Sequence, residues 1–488
     1  MVITNQLKNQ HLLWRATFGP APTDFNSLQN SNPSSLLKNL LNASSKTPAY
    51  IDVASDVVKE AFTMDMNMQG AARRQPLDEN KRRMIRQQSQ QDIRNLNITW
   101  LKQMIGSEQQ LREKMSLFWH GHFACRIQQI VYQQQLLDVV RRNALGNFGD
   151  MLREVSKSAA MLNFLNNNQN RKDHPNENFA REVMELFTMG RGNYTEDDIK
   201  EAARAFTGWG ASINGEFLFR RQQHDTGKKT VLGKSGNFDG DDVLNILLEN
   251  KQTANYITRK IYRYFVNDIP DEAHISQLAD RFYQSNYDIK ELMAAIFSAN
   301  WFYDAKNIGC RIKSPVELIA GIRRALPMTV TNEDAQLLLQ RLLGQILFYP
   351  PNVAGWPGGK NWIDSSSLML RMRIPQMFFA TEELNMKPKD DDDQMMGMKD
   401  GGAGGAGKPA RKAGGQNIMA AIDWNGYLQN YEKVSREQLV TTIAGSLLQT
   451  DAGMNAAALG KFTDSSSKES FIKTTTIQLM STPEYQLC

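Results

Sequence analysis

The sequence predicts an all-α protein, a multi-helix globular domain with one small inserted β-hairpin. Three observations predict it. Apolar residues recur at helical spacing along most of the chain, helix-start chemistry precedes one of these stripes, and a single stretch carries short apolar runs of strand type. In chain order, Leu111, Met115, Leu117, Phe118 and Trp119 form the first clear stripe. Phe179, Val183, Leu186 and Phe187 follow at i, i+4, i+7 and i+8, one face of a helix. Thr195-x-x-Asp198 is a capping box with a shortened acid and opens a helix through Ala205. Ile257, Ile261, Tyr264 and Phe265 make another stripe, as do Leu292, Ala295, Ile296 and Ala299, then Val316, Ile319, Ala320 and Ile322. The exception is Phe217-Leu218-Phe219 and Thr230-Val231-Leu232, with the turn chemistry of His224-Asp225-Thr226-Gly227 between them, which predicts one hairpin.

The chain divides by composition. A helical domain is expected over 1–385. Residues 386–416 hold an acidic run from Asp390 to Asp393, a Gly/Ala-rich stretch and then basic residues. They cannot repay the entropy of ordering and read as a disordered linker. A helical tail, 417–488, follows and could pack back on the domain. The polar, methionine-rich stretch 62–80 reads as a mobile loop.

Composition excludes several classes. Hydrophobic residues are 41% and charged residues 22%, ordinary for a globular chain. No apolar run of about 18 residues exists, so no membrane span is predicted. The first residues lack the apolar stretch of a signal peptide, so the chain as written is expected in the cytoplasm. Three scattered cysteines give neither a disulfide framework nor a thiolate zinc site. The net charge is only +5. The basic run from Arg73 to Arg94 has no interleaved aromatics for base stacking and reads as a solvated helix face, so nucleic acid is not an expected partner. There is no phosphate-cradling Gly-x-x-x-x-Gly-Lys, no Gly-x-Ser-x-Gly and no Rossmann glycine pattern.

Several strings together resemble one bacterial family, the domain of unknown function 1800 (DUF1800). They are His11-Leu-Leu-Trp-Arg-Ala-Thr-Phe-Gly-Pro20, Phe118-Trp-His-Gly-His-Phe123 and Asn176-Glu-Asn-Phe-Ala-Arg-Glu-Val-Met-Glu-Leu186, then Ala205-Phe-Thr-Gly-Trp209, His224-Asp225 with Lys229, and Pro350-Pro-Asn-Val-Ala-Gly-Trp-Pro-Gly-Gly359. Two positions depart from the pattern. Gly121 stands where relatives carry Asn between the histidines, and Phe187 stands where many carry His. The resemblance implies no agreed activity. It implies that relatives are often exported and often encoded beside a sulfatase-like family, which makes a sulfatase-like protein an expected partner.

The residues suggest their own chemistry. His120 and His122 form an H-x-H, and imidazole is a common metal ligand and a base near neutral pH. On a helix, i and i+2 face nearly opposite sides, so the pair shares one metal only if the helix ends at about His120, which Gly121 makes plausible. The competing reading is a packed core histidine beside one bonded to a carbonyl. Asn178, Glu182 and Glu185 fall on one helix face, suited to metal bridging or acid–base work. Against this, Arg181 can pair with Glu177 and Glu185 and neutralise them. His224-Asp225 could complete a metal shell, or be a turn aspartate beside an exposed histidine. Arg181, Lys228 and Lys229 could hold an anion, with Trp209 and Trp356 as walls, or the tryptophans could simply anchor loops.

Two functions are therefore expected in competition. One is a metal-dependent or acid–base hydrolase, with a divalent metal on His120, His122, Glu182, His224 and Asp225. Glu177, Arg181 and Glu185 would then be catalytic, and Trp209, Lys229 and Trp356 would bind substrate. The other is a non-catalytic scaffold or partner of a sulfatase-like protein, in which the motifs form a buried polar network. Convergence of the motif residues on one open pocket would favour the first.

Overall fold

The computed structural model describes residues 3–67, 78–380, 383–384, 416–450 and 462–488. Among the described residues the chain is mostly helical, 62% with 21 helices, and carries a few small two-stranded antiparallel sheets. The helices follow the stripes. Gln110–His122, Lys251–Phe265 and Pro315–Ala325 coincide with three of them. Thr195 caps the helix Glu196–Ala205 through a complete capping box with Asp198. Ser314, Pro315 and Glu317 build a second such box at the start of Pro315–Ala325.

Two of the expectations meet a different outcome. The strand segments exist but do not pair with each other. Phe217–Phe219 pairs with Trp209–Ala211, and Lys229–Val231 pairs with Lys234–Gly236, giving two hairpins. The second closes through the left-handed residues Leu232 and Gly233. The 62–80 stretch is helical at both ends, since one helix runs Asp56–Asn67 and the next begins at Glu79. Residues 68–77 lie outside the described residues, as do nearly all of the 386–416 linker. Lys81, Arg82, Arg83 and Arg86 of the basic run are exposed on the first turns of Glu79–Gly106.

Two apolar cores meet along one helix. Leu111, Met115, Phe118 and Trp119 of Gln110–His122 enter the first core, and Leu117 enters the second. Every residue of this helix except Gly121 is buried. Its polar side chains are consumed internally. The Glu113 carboxylate accepts from Arg141 and from Trp100 Nε1, and Lys114 pairs with Glu317 at 2.5 Å. Those charges sit where an unpaired ion would cost several kcal/mol. Arg112 donates to the carbonyls of Ser44, Arg141 and Arg142.

The described residues of 417–488 pack into the core of the rest of the chain. Leu439, Ile443, Leu479, Met480 and Tyr485 pack in the second core with Trp14, Phe18 and Ile319. Backbone bonds tie Arg311 to Cys488 and Lys313 to Gln486, and Met328–Val330 pairs with Ala420–Ile422. This pairing holds the extended segment 311–314 against the C-terminal end of the central helix, where a cleft opens.

Candidate binding cleft

The expected metal set is not brought together, and among the described residues no group of three or more His, Cys, Asp or Glu is placed to hold a metal ion. The reason begins with the central helix. It continues through His122 instead of ending at His120, so the two imidazoles leave on different sides. His120 is buried against Trp100 and Phe348, and its Nε2 accepts the Phe348 backbone N–H at 3.1 Å. That bond pins Phe348 in a left-handed conformation, φ 69°, uncommon for an aromatic residue. Burial holds His120 down to about 3, so it is a neutral acceptor that anchors the following loop.

His122 Nε2 donates to the Phe187 carbonyl at 3.2 Å, and its Nδ1 is buried without a hydrogen bond. Burial and the nearby Lys260 keep it neutral. The Phe187 ring lies 6.1 Å from the His122 ring, an apolar contact at the position that departs from the family pattern.

The carboxylate helix changes pitch. Glu177–Glu182 is α-helical, but Val183–Met189 is a π-helix, so the regular α-helical phase stops between Glu182 and Glu185, although the two carboxylates stay close enough to interact. Glu185 accepts from Tyr194 and from Arg191 Nε at 2.9 Å, which hold its carboxyl below the usual range. Arg181 pairs with Glu177 and, in place of the expected Glu185, with Glu196. Glu182 is half-buried, and desolvation with Glu185 beside it raises its carboxyl.

His224 and Asp225 belong to a third place. Arg204 grips Asp225 through two bonds of 2.7 and 3.1 Å and Glu201 through another of 2.9 Å. His224 Nδ1 lies 3.0 Å from the Thr207 carbonyl, and the Asp225 N–H donates to the Thr207 hydroxyl. Lys229 is buried and donates to the carbonyls of Asp225 and Gly227. Trp209 is buried beside Phe206, with Lys157 over its ring. All these groups stabilise the turn and the hairpins, and none of them lines the cleft.

The cleft itself encloses about 420 Å³. Its floor is the end of the central helix, with Phe118, Gly121 and His122. One wall is Lys260, Arg263 and Tyr264 with Asp268 beyond them, the second is Arg311 and Ser314, and the roof is the loop 354–362 with Trp356, Lys360 and Trp362. Of the residues expected at a site, His122 and Trp356 are here. The roof depends on Gly355. Its φ is 80°, and a Cβ there would collide with the Gly121 carbonyl oxygen, so the loop settles on the helix end only without a side chain.

Charge is the cleft's main feature. Four cationic side chains face one carboxylate, Asp268. Arg311 is buried, donates to the Tyr264 carbonyl, and keeps its Nε 3.8 Å from Asp268, too far for a hydrogen bond. Lys260, Arg263 and Lys360 have no ion-pair partner among the described residues. Lys260 has only the Tyr256 ring, 5.4 Å away, and burial pushes its amine down to about 8. None of these four cations was singled out in the sequence, because each sits in a helix or loop where a basic residue is ordinary. The one available signal was the run Gly355-Trp-Pro-Gly-Gly-Lys360, whose tryptophan and glycines mark a constrained loop.

Among the described residues no helix is long and apolar enough to cross a membrane. A family model described as "Protein of unknown function (DUF1800)" matches residues 11–487, including the segment after the linker. Among curated proteins and among solved structures nothing matches.

Proposed function

The chain belongs to the DUF1800 family, and for it we propose binding of a small anionic molecule with a flat or ring-shaped part, in the cleft between the central helix and the Gly-Trp loop. The observation that carries this is the surplus of positive charge. Lys260, Arg263 and Lys360 are unpaired around a recess whose single carboxylate is already beside Arg311. A concave site of one sign focuses its field and concentrates ligands of the other sign. Arg263 and Arg311 offer planar forks that suit a carboxylate, phosphate or sulfate, and Trp356 offers a face for a ring. The volume suits a compact organic molecule. Hydrolytic acid–base chemistry remains open to the cleft through Lys260. The wider metal-dependent scheme would need ligands that the fold keeps apart.

The competing reading is a non-catalytic partner of a sulfatase-like protein. It draws on the Arg204 cluster, whose groups satisfy one another inside the fold. Calorimetric titration with phenyl phosphate, compared with inorganic phosphate, separates the two. The cleft reading expects phenyl phosphate to bind more tightly than phosphate, and the Arg263→Ala/Lys360→Ala double variant to weaken it by roughly tenfold or more. Absence of binding, or binding indifferent to both substitutions, sinks this reading and favours the partner role.

A further inference from the structure

We propose that Lys260 is a carbonyl-capturing amine, its Nζ forming an imine with an aldehyde or ketone carried by an anionic ligand in the cleft. This rests on the cleft being an anion site. Three observations lead to it. The first is the company Lys260 keeps. The fully buried lysines all have oxygen partners. Lys114 has Glu317, Lys229 has the carbonyls of Asp225 and Gly227, and Lys313 has the Tyr485 carbonyl at 2.6 Å between the rings of Trp14 and Tyr485. Lys260 has neither carboxylate nor carbonyl among the described residues, only the edge of the cleft and the Tyr256 ring. Lys260, half-buried, instead lines the cleft, where a bound molecule rather than the fold can meet its amine.

The second observation is protonation. Burial lowers the Lys260 amine to about 8, so a substantial fraction is the free base near neutral pH, whereas an ordinary lysine is almost wholly ammonium. Desolvation in an apolar setting is one of the recognised ways to activate a lysine for Schiff-base chemistry. The third is division of labour. Arg263 stands one turn along the same helix and Arg311 faces the cleft from the neighbouring segment. Both offer planar guanidinium forks, so the anion is held without using the amine. The ligand class follows as a 2-oxo acid or a phosphorylated aldehyde or ketone.

The chemistry balances without a redox partner. The Nζ lone pair attacks the carbonyl carbon, and the C=O pair moves to oxygen, which takes a proton, giving a carbinolamine. Nitrogen loses its proton, the hydroxyl leaves as water, and an imine remains. The net change is amine plus carbonyl to imine plus water, reversible by hydrolysis.

The test uses the full chain with pyridoxal 5′-phosphate as an anionic aldehyde and sodium cyanoborohydride to fix any imine, followed by peptide mass spectrometry. Lys260 is expected to be labelled roughly tenfold or more faster than exposed lysines such as Lys59 or Lys200, reflecting its larger free-base fraction. Excess phenyl phosphate is expected to suppress that labelling. Lys260→Arg is expected to lose it while keeping the wild-type circular dichroism spectrum and melting temperature, which shows that the variant is folded. Labelling spread over surface lysines with Lys260 spared, while phenyl phosphate still binds, overturns the imine and leaves the anion site standing. Labelling of Lys260 that phenyl phosphate does not suppress overturns it too. No binding of phenyl phosphate to the wild-type chain removes both readings.

Discussion

The Arg204 cluster and the cleft are built from the same kinds of residue and do opposite things with them. Around Arg204, the guanidinium itself and the buried Lys229 meet oxygens. The guanidinium takes Asp225 and Glu201, and Lys229 takes two carbonyls. In the cleft, Lys260, Arg263 and Lys360 are left over. A folded chain gains little from holding unpaired charges together and tends to pair those it buries. On the proposed reading the Arg204 cluster is spent on folding, and the cleft's cations, with Lys260 half-buried and Arg263 and Lys360 exposed, are kept for a ligand.

Several measurements press on that contrast, beginning with the largest expected effect. Glu113→Ala strips Arg141 and Trp100 of their shared carboxylate inside the central helix and should cost about 3–5 kcal/mol by denaturant titration. A near-neutral result would mean that the polar side chains of that helix are not what holds it. Arg204→Ala should cost about 2–3 kcal/mol, because Asp225 and Glu201 are mostly shielded, and should leave phenyl phosphate affinity unchanged. Lost affinity would join the two regions that the account keeps apart.

Acid provides an intermediate effect with a definite sign. His11 and His120 are held down to about 3 by burial, far below their unfolded value of 6.5. Both states are neutral above 6.5. As the pH falls below that, only the unfolded chain takes up these protons, so stability declines by about 1.4 kcal/mol per pH unit for each histidine. Glu317 is held at about 2 against 4.5, with Lys114 and Arg311 opposing its burial, so its contribution is complete above 4.5 and is lost only below it. Destabilisation should therefore start near pH 6.5, and His11→Gln should flatten its slope by about one proton. A stability curve flat from pH 7 to 5 would contradict the buried neutral histidines. The smallest effect belongs to the cleft rim. Arg263→Ala/Lys360→Ala should change stability by less than about 0.5 kcal/mol, since both side chains are exposed and unpaired.

The helical architecture was legible because burial imposes a 3.6-residue period on Phe179, Ile257 or Val316 that requires no knowledge of the partner. Thr195 and Asp198 were legible for the same local reason. Strand pairing was not, since Phe217–Phe219 and Thr230–Leu232 fit each other as well as their real partners, and the close turns at Gly215 and Leu232-Gly233 decided the matter. The site was the least legible part. His120 and His122 stood out by type, but whether the helix stops two residues earlier decides if they converge, and that depends on how Gly355 and Phe348 settle on its end. Glu182 and Glu185 were placed in phase by an α-helical ruler, and a π-helix begins between them. The cleft's cations come from 260, 263, 311 and 360, positions joined only by the tertiary fold.

The most direct measurement of the central claim is a crystal structure of the full chain grown or soaked with sulfate. The account predicts tetrahedral density in the cleft, bonded by Arg263 and Arg311 or Lys360, before any at the Arg204 cluster. Sulfate at the Arg204 cluster or on the exposed helix beginning at Glu79, with the cleft holding only water, would contradict it.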